Sequence, residues 1–214
     1  MMLLVLVSCY QSYKRELGLA YMLAESKPDS ALAFLNRINQ GKLSDEDMAK
    51  YALTYYMAQD KSGLGVDNDS LIRIAYDWYG EHQDDSLYAT SLYYMGKCYL
   101  LNDSMEQAKA CLEKSYSISD SLHHLNVKCL ALDKLIEVEE QLAPYKALEY
   151  AKALVKMYES MPNVCIYTKM AAHLRLGENF FYVDSLQHAL EEERKAYRLA
   201  IYVNDNDLLS SVKQ

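Results

Sequence analysis

The chain has 214 residues, 51% of them apolar and 24% charged, which suits one extended folded domain with a substantial core. Its formal net charge is −8, and no basic cluster is longer than Lys14-Arg15, so the basic stripe that nucleic-acid binding requires is missing. With 7 Gly and 3 Pro the chain has little material for the tight turns of a sandwich or barrel, and helices are favoured. Tyrosine stands out: there are 20 Tyr against 3 Phe and 1 Trp. Tyr buries its ring while keeping its hydroxyl wet, which suits the rim of a core or a half-exposed groove.

The chain opens on Met1-Met2-Leu3-Leu4-Val5-Leu6-Val7-Ser8-Cys9. Its end, Leu6-Val7-Ser8-Cys9, resembles a bacterial lipobox, in which the Cys is acylated and becomes the mature N-terminus. A leader ordinarily runs ~15–30 residues and carries a basic n-region. Here eight residues precede Cys9 and none is basic. Residues 1–9 are read as a lipoprotein leader whose start lies upstream, with lipidation at Cys9. The alternative is the apolar beginning of a helix in a cytoplasmic protein. The stretch is shorter than the ~20 apolar residues that span a bilayer.

Beyond it, hydrophobic periodicity and turn residues predict eleven helices: 10–26, 29–39, 44–61, 68–82, 85–101, 103–119, 121–142, 144–160, 163–181, 184–203 and 206–213. Ser62 to Asp67 is the clearest loop, and Pro144 fits a first helical turn. Asp-Ser pairs at 29–30, 69–70, 103–104 and 184–185 precede second helices of pairs, and those at 85–86 and 120–121 precede first helices. They are expected to act as N-caps, with Ser104-x-x-Gln107 as a capping box.

A repeat underlies these elements. Leu92-x-x-Met95-Gly96-x-x-Tyr99 and His173-x-x-Leu176-Gly177-x-x-Phe180 share one pattern. Each Gly is followed at the same spacings by an Ala (Ala108, Ala189) and then a Tyr (Tyr116, Tyr197). Related anchors stand at Ala31, Leu71-Ile72 and Ala147, giving a period near ~40 residues. Gly inside a helix costs about 1 kcal/mol relative to Ala, which makes sense where a partner helix crosses too closely for a side chain.

This pattern resembles the tetratricopeptide repeat, W-x-x-L-G-x-x-Y, with the Trp replaced. The resemblance implies an all-α, right-handed α-solenoid of about five antiparallel, degenerate helix pairs over residues 10–203. Residues 204–214 would begin a further helix that breaks off, so a fragment of a longer protein is expected. The opening, with Ala24-Glu25-Ser26-Lys27-Pro28-Asp29-Ser30-Ala31-Leu32 and Asn68-Asp69-Ser70-Leu71-Ile72, is also similar to repeat lipoproteins of Bacteroides-type bacteria. That likeness implies a lipid anchor and the sensing part of a regulator. Tyr10-Gln11-Ser12-Tyr13 lacks the acidic cluster associated there with surface export, so a periplasmic face of the cell envelope is expected.

The resemblance implies a concave face formed by the first helices of each pair. It places Tyr93, Lys97 and Leu100 together in one copy, Leu174, Glu178 and Phe181 in the other, with Tyr56 extending the set. Glu178 in place of a Lys or Asn speaks against a carboxylate clamp and for an amphipathic helix or extended peptide. The competing reading is that these side chains pack between repeats.

No phosphate loop, H-E-x-x-H or G-x-S-x-G occurs. Five Cys at 9, 98, 111, 129 and 165 form no C-x-x-C and match no zinc spacing. His123-His124 is read as surface, Glu191-Glu192-Glu193 as a solvated face, and Trp78 as core. The expected protein is therefore a protein- or peptide-binding scaffold without cofactor, metal or catalysis. A glycan-binding lipoprotein is the alternative, weakened by the single Trp.

Overall fold

A computed structural model describes residues 2–65, 69–82 and 84–203, with side chains from 13 to 202. The described residues form ten α-helices and no strand. They are α1 (Met2–Leu23), α2 (Pro28–Leu35), α3 (Asp45–Lys61), α4 (Ser70–Glu81), α5 (Asp85–Leu101), α6 (Met105–Ser121), α7 (Leu125–Leu142), α8 (Pro144–Ser160), α9 (Ile166–Tyr182) and α10 (Leu186–Val203). A 3-10 turn, Gln40–Lys42, lies between α2 and α3. The expected helix 206–213 falls outside the described residues.

The chain divides into two compact units, Met1–Val127 and Lys128–Gln214. In the first, each helix from α1 to α6 packs on the next, and α3 also touches both α1 and α5. In the second, α9 packs on α8 and on α10. Small residues stand at the helix contacts: Ala31, Ala49, Ala75 and Ala108 are fully buried in the first unit, Ala147, Ala196 and Ala200 in the second. At the second anchor the buried residues are Ile72 and Ala75, and Leu71 is half-buried.

The repeat glycines are close-approach sites. A Cβ at Gly96 would lie 2.7 Å from Leu112 Cγ and 2.9 Å from Cδ2, which α6 brings over α5. At Gly177 the nearest atoms are Ala189 O at 3.3 Å and Glu193 Cγ at 3.4 Å. Both crossings are tight, and the first leaves no room at all for a methyl group.

The Asp-Ser pairs play a different part from the one expected. Asp103 and Asp184 do not open helices; they close the preceding ones, with φ of 53° and 57°. Ser104 N donates to Tyr99 O and Asp103 N to Leu100 O, at 2.8 and 3.1 Å. Ser185 N and Asp184 N bond Phe180 O and Phe181 O in the same way. These are Schellman endings, in which a left-handed residue turns the chain and satisfies the last carbonyls. Gly63 ends α3 and His123 ends α6 with the same pair of bonds. Asp is among the few non-glycine residues that tolerate this conformation. Asp120-Ser121 lies in the last turn of α6, so α7 starts four residues late, and Asp29-Ser30 lies in the first turn of α2 behind Pro28. Asp69 occupies the N-cap of α4 without a cap bond and pairs instead with Arg73. Asp85-Ser86 yields its capping role to Asp84, which accepts from Leu87 N at 3.1 Å. The capping box at Ser104 does not form; its hydroxyl donates to Asn102 O. Ser44 is a working cap, accepting from Asp47 N at 3.2 Å.

Two outcomes follow for stability. Gly96→Ala should destabilise by about 1–3 kcal/mol despite its better helix propensity, because Leu112 must move. Gly177→Ala should stay within about 1 kcal/mol of wild type. Urea unfolding followed by circular dichroism compares the two. Asp103→Gly should be neutral or stabilising by roughly 0.5–1 kcal/mol, and Asp184→Val destabilising by roughly 1–2 kcal/mol, since a β-branched side chain resists positive φ. Thermal melts that rank Val above Asp above Gly at these positions would overturn the helix endings described.

Candidate functional site

In the first unit, the predicted face is not a face. Tyr56 and Tyr93 are 2% and 3% exposed, so both rings are core. They are joined through Tyr94, whose ring centroid lies 4.8 Å from that of Tyr93 and 6.4 Å from that of Tyr56, edge to face in each case. The Tyr56 hydroxyl also meets Cys98 Sγ at 3.6 Å. These contacts are the seam between α3 and α5, so the packing reading applies to this pair. Lys97 is taken up by an ion pair with Asp60 and lies 5.8 Å from the Tyr93 ring centroid. Leu100 is half-buried.

In the second unit the matching positions are open. Phe181 is 61% exposed, Glu178 is exposed and Leu174 half-buried. The structure adds two residues the sequence reading missed. Tyr167, 41% exposed, and Ala171, also exposed, stand seven and three residues before Leu174. Tyr167, Ala171, Leu174, Glu178 and Phe181 therefore follow one another at helical spacing along a single stripe of α9. The stripe spans roughly 21 Å at 1.5 Å per residue. Its spacing was readable in the sequence; its exposure was not. Tyr167 and Ala171 also border a groove of about 440 Å³ with Leu130 and Asp133 of α7, Leu154 and Tyr158 of α8, and Arg175.

Ion pairs fix α9 beneath this stripe. Arg175 Nε and Nη2 donate to the two carboxylate oxygens of Glu140 on α7, at 3.0 and 3.1 Å, a paired geometry that sets orientation. Asn179 Nδ2 adds a third donor to Glu140 Oε1 at 2.8 Å. On the other side His173, 5% exposed, places Nδ1 2.7 Å from Glu192 Oε2 of α10 and Nε2 3.5 Å from Glu159 Oε1 of α8. His173 thus fills the Trp position of the repeat pattern as a polar link among three helices. Glu192, read from sequence as part of a solvated face, is 8% exposed. Burial pushes its carboxyl upward, but hydrogen bonds from Lys195 and His173 outweigh this and hold it below the usual carboxylate range.

A second hollow, of about 580 Å³, lies in the first unit between α1, α3, α4 and the start of α5. Lys14, Glu46, Asp47, Lys50, Trp78, Tyr79, His82 and Asp84 contribute to its wall. Trp78 is half-buried there and stacked on His82, with centroids 3.7 Å apart and planes 14° apart. Asp47 is held by Ser44 Oγ at 2.7 Å, the Tyr13 hydroxyl at 3.3 Å and Lys14 at 3.6 Å. No group of His, Cys, Asp and Glu among the described residues is placed to hold a metal. Cys9 lies within the backbone of α1, and its side chain is outside the described set. Among the described residues no helix is long and apolar enough to cross a membrane.

No protein-family model and no curated protein matches the chain. Solved structures do. BtubC (BKLC) from P. vanneervenii aligns with a TM-score of 0.71 at 12% identity, over 92% of this chain and 90% of that one. A kinesin light chain from Podosopora anserina with nearly identical TPR-like repeats aligns with a TM-score of 0.64 at 13% identity, over 89% and 95%. A Rap protein complexed with competence and sporulation factor aligns with a TM-score of 0.54 at 10% identity, over 94% and 71%. The chain is therefore an α-solenoid of tetratricopeptide-like helix pairs; at these identities the likeness establishes the fold.

Glu192 gives a pH signature. Its folded-state pKa is lowered, so its stabilisation is present above the ordinary carboxylate range and disappears as pH falls through the folded value. Glu192→Gln should cost about 1.5–3 kcal/mol at neutral pH, the range for hydrogen bonds to charged groups. The deficit should begin to shrink as pH falls below about 4, where the unfolded carboxyl protonates first, and should vanish below the lowered folded value. Urea midpoints at the two pH values test it, and an equal deficit at both would count against the ionised pair.

Proposed function

We propose that the chain is a protein-binding scaffold that presents the α9 stripe to an amphipathic helix or extended segment of a partner. The exposed row carries the reading: Tyr167, Ala171 and Phe181, with half-buried Leu174 between them and Glu178 interrupting it. Large apolar side chains aligned on one exposed face are the anchors that grooves and helix faces use in peptide recognition. The helix beneath is held on both flanks by the Glu140 and Glu192 networks, so the anchors are fixed before a partner arrives. The Rap structure complexed with a factor shows that a chain of this fold can hold a ligand of its own. In the fuller reading the scaffold is anchored through a lipid on Cys9, faces the periplasm and forms the sensing part of a regulator.

The site and the anchor are tested separately. A photo-reactive benzoylphenylalanine at position 181 should crosslink a protein in an extract of the host envelope, while the same group at exposed Glu106 on α6 should not. Absence of a crosslink from 181 and from a second probe at 167 would overturn the face. Tyr167→Ala with Phe181→Ala should abolish capture yet shift the melting temperature by no more than a few degrees, since exposed positions contribute little to stability. Cys9→Ser should release the protein from the membrane fraction; an unmodified wild-type Cys9 by mass spectrometry would remove the anchor from the proposal.

A further inference from the structure

The hollow in the first unit brings a tyrosine hydroxyl, a tryptophan and carboxylates together. Tyr79 is 4% exposed and lines the hollow, and its hydroxyl bonds no other described residue. Its ring is fixed in the core while its hydroxyl stays accessible to a bound group, which can replace water there as a hydrogen-bond partner. Around it stand three carboxylates, Glu46, Asp47 and Asp84. Asp47 already has Ser44, Tyr13 and Lys14. Among the described residues Glu46 and Asp84 pair with no cation, and the Asp84 carboxylate accepts the Leu87 N–H. The two lysines of the wall do not supply one. Lys14 is on Asp47, and Lys50 Nζ sits 5.2 Å from the Tyr21 ring centroid.

We propose that this hollow receives one cationic side chain, an arginine or lysine, from a protein or peptide partner. Its charge lies between Glu46 and Asp84, the Tyr79 hydroxyl accepts one of its N–H bonds, and its aliphatic stem runs along Trp78. Size permits this, since ligand pockets commonly enclose about 300–1,000 Å³ and this one encloses about 580 Å³. The sign of the field agrees. Burial pushes the Tyr79 hydroxyl well above its ordinary pKa, and Asp84, Tyr21, Glu46 and Asp47 push it further. Burial opposes a charge of either sign, but the share that comes from Asp84, Glu46 and Asp47 attracts a positive charge and repels a C-terminal carboxylate. Trp78, half-buried and stacked on His82, lines the same space and adds ring surface on which Arg and Lys stems rest. The proposal rests on the protein-binding reading and adds to it the chemistry of one contact.

Trp78 is the sole tryptophan, so its emission reports the hollow directly. The probes are acetyl-Gly-Arg-Gly-amide and its citrulline analogue, which has the same shape and no charge, each titrated at low salt. The arginine peptide should change Trp78 emission saturably, with Kd in the region of about 1 mM, and citrulline should bind at least about tenfold more weakly. Glu46→Gln with Asp84→Asn should weaken the arginine peptide by a similar factor, about tenfold. Asn keeps the N-cap of α5, so this pair should still fold, as circular dichroism will show. The same charge change made elsewhere, Glu106→Gln with Glu191→Gln, should leave binding unchanged. Tyr79→Phe should weaken binding by about threefold or more while the melting temperature holds, because the hydroxyl bonds no other described residue. No saturable response up to about 10 mM, equal binding of citrulline, or equal loss in the two charge-matched pairs would overturn the proposal. The α9 crosslink reads the other unit, so its success alongside a failed titration would discard this contact and leave the scaffold reading intact.

Discussion

The close crossing of paired helices is the constraint on which the rest depends. A tetratricopeptide-like pair has little apolar surface to bury by itself, and it gains stability by bringing two helix backbones close and stacking the result on its neighbours. At Gly96 the approach is so tight that Leu112 occupies the volume a Cβ would need. Ala108 and Ala189 stand at the matching positions of the partner helices, 0% and 5% exposed. Because the helices are this close, their flanking side chains have few rotamers available and the surfaces they build are fixed. The two crossings are not equivalent. The Gly177 site is looser by more than half an ångström, and its neighbours include the stem of Glu193, which can yield.

Polar links complete the second unit where the apolar repeat is degenerate. His173 takes the place that the repeat pattern gives to a large aromatic ring, and Glu159 and Glu192 engage its two nitrogens. Arg175 and Asn179 converge on Glu140. Buried ionic groups are weak evidence for net stability, because desolvation opposes their attraction. Their geometry is nonetheless specific: a two-pronged guanidinium–carboxylate pair admits one rotation of α9 about its axis. The same rotation leaves Tyr167, Ala171, Glu178 and Phe181 exposed and packs Leu174 partly against Met170, Ala196 and Ala200.

The two candidate surfaces differ in kind. On α9 the exposed apolar side chains, Tyr167, Ala171 and Phe181, lie along a line interrupted by Glu178. The hollow beside Trp78 is charged and localised, with the Tyr79 hydroxyl near the carboxylates of Glu46, Asp47 and Asp84.

Much of the architecture was legible in the sequence because it is written in spacing. Helix period, the recurrence of Gly96 and Gly177 with Ala108 and Ala189, and the scarcity of breakers are one-dimensional features, and helix formation is largely local. Nine of the expected helices were within a few residues of their observed limits; α1 began earlier than expected. The Asp-Ser pairs were legible as punctuation but not as to which side of the mark they served. Asp is favoured both at an N-cap and in a left-handed helix ending, and only the hydrogen bonds of Asp103 and Asp184 to the preceding turn distinguish the two. Exposure was the property that the sequence could not decide. Tyr93 and Leu174 hold the same repeat position, yet Tyr93 is locked against Tyr94 at the α3–α5 seam while Leu174 remains partly open. Glu192 reads as one of three consecutive surface acids until α9 supplies His173. The hollow at Tyr79 draws its wall from four helices spread over more than seventy residues. A periodic pattern specifies which side of its own helix a residue occupies; what stands opposite that side depends on the packing of the other helices, and that was decided by the tertiary structure alone.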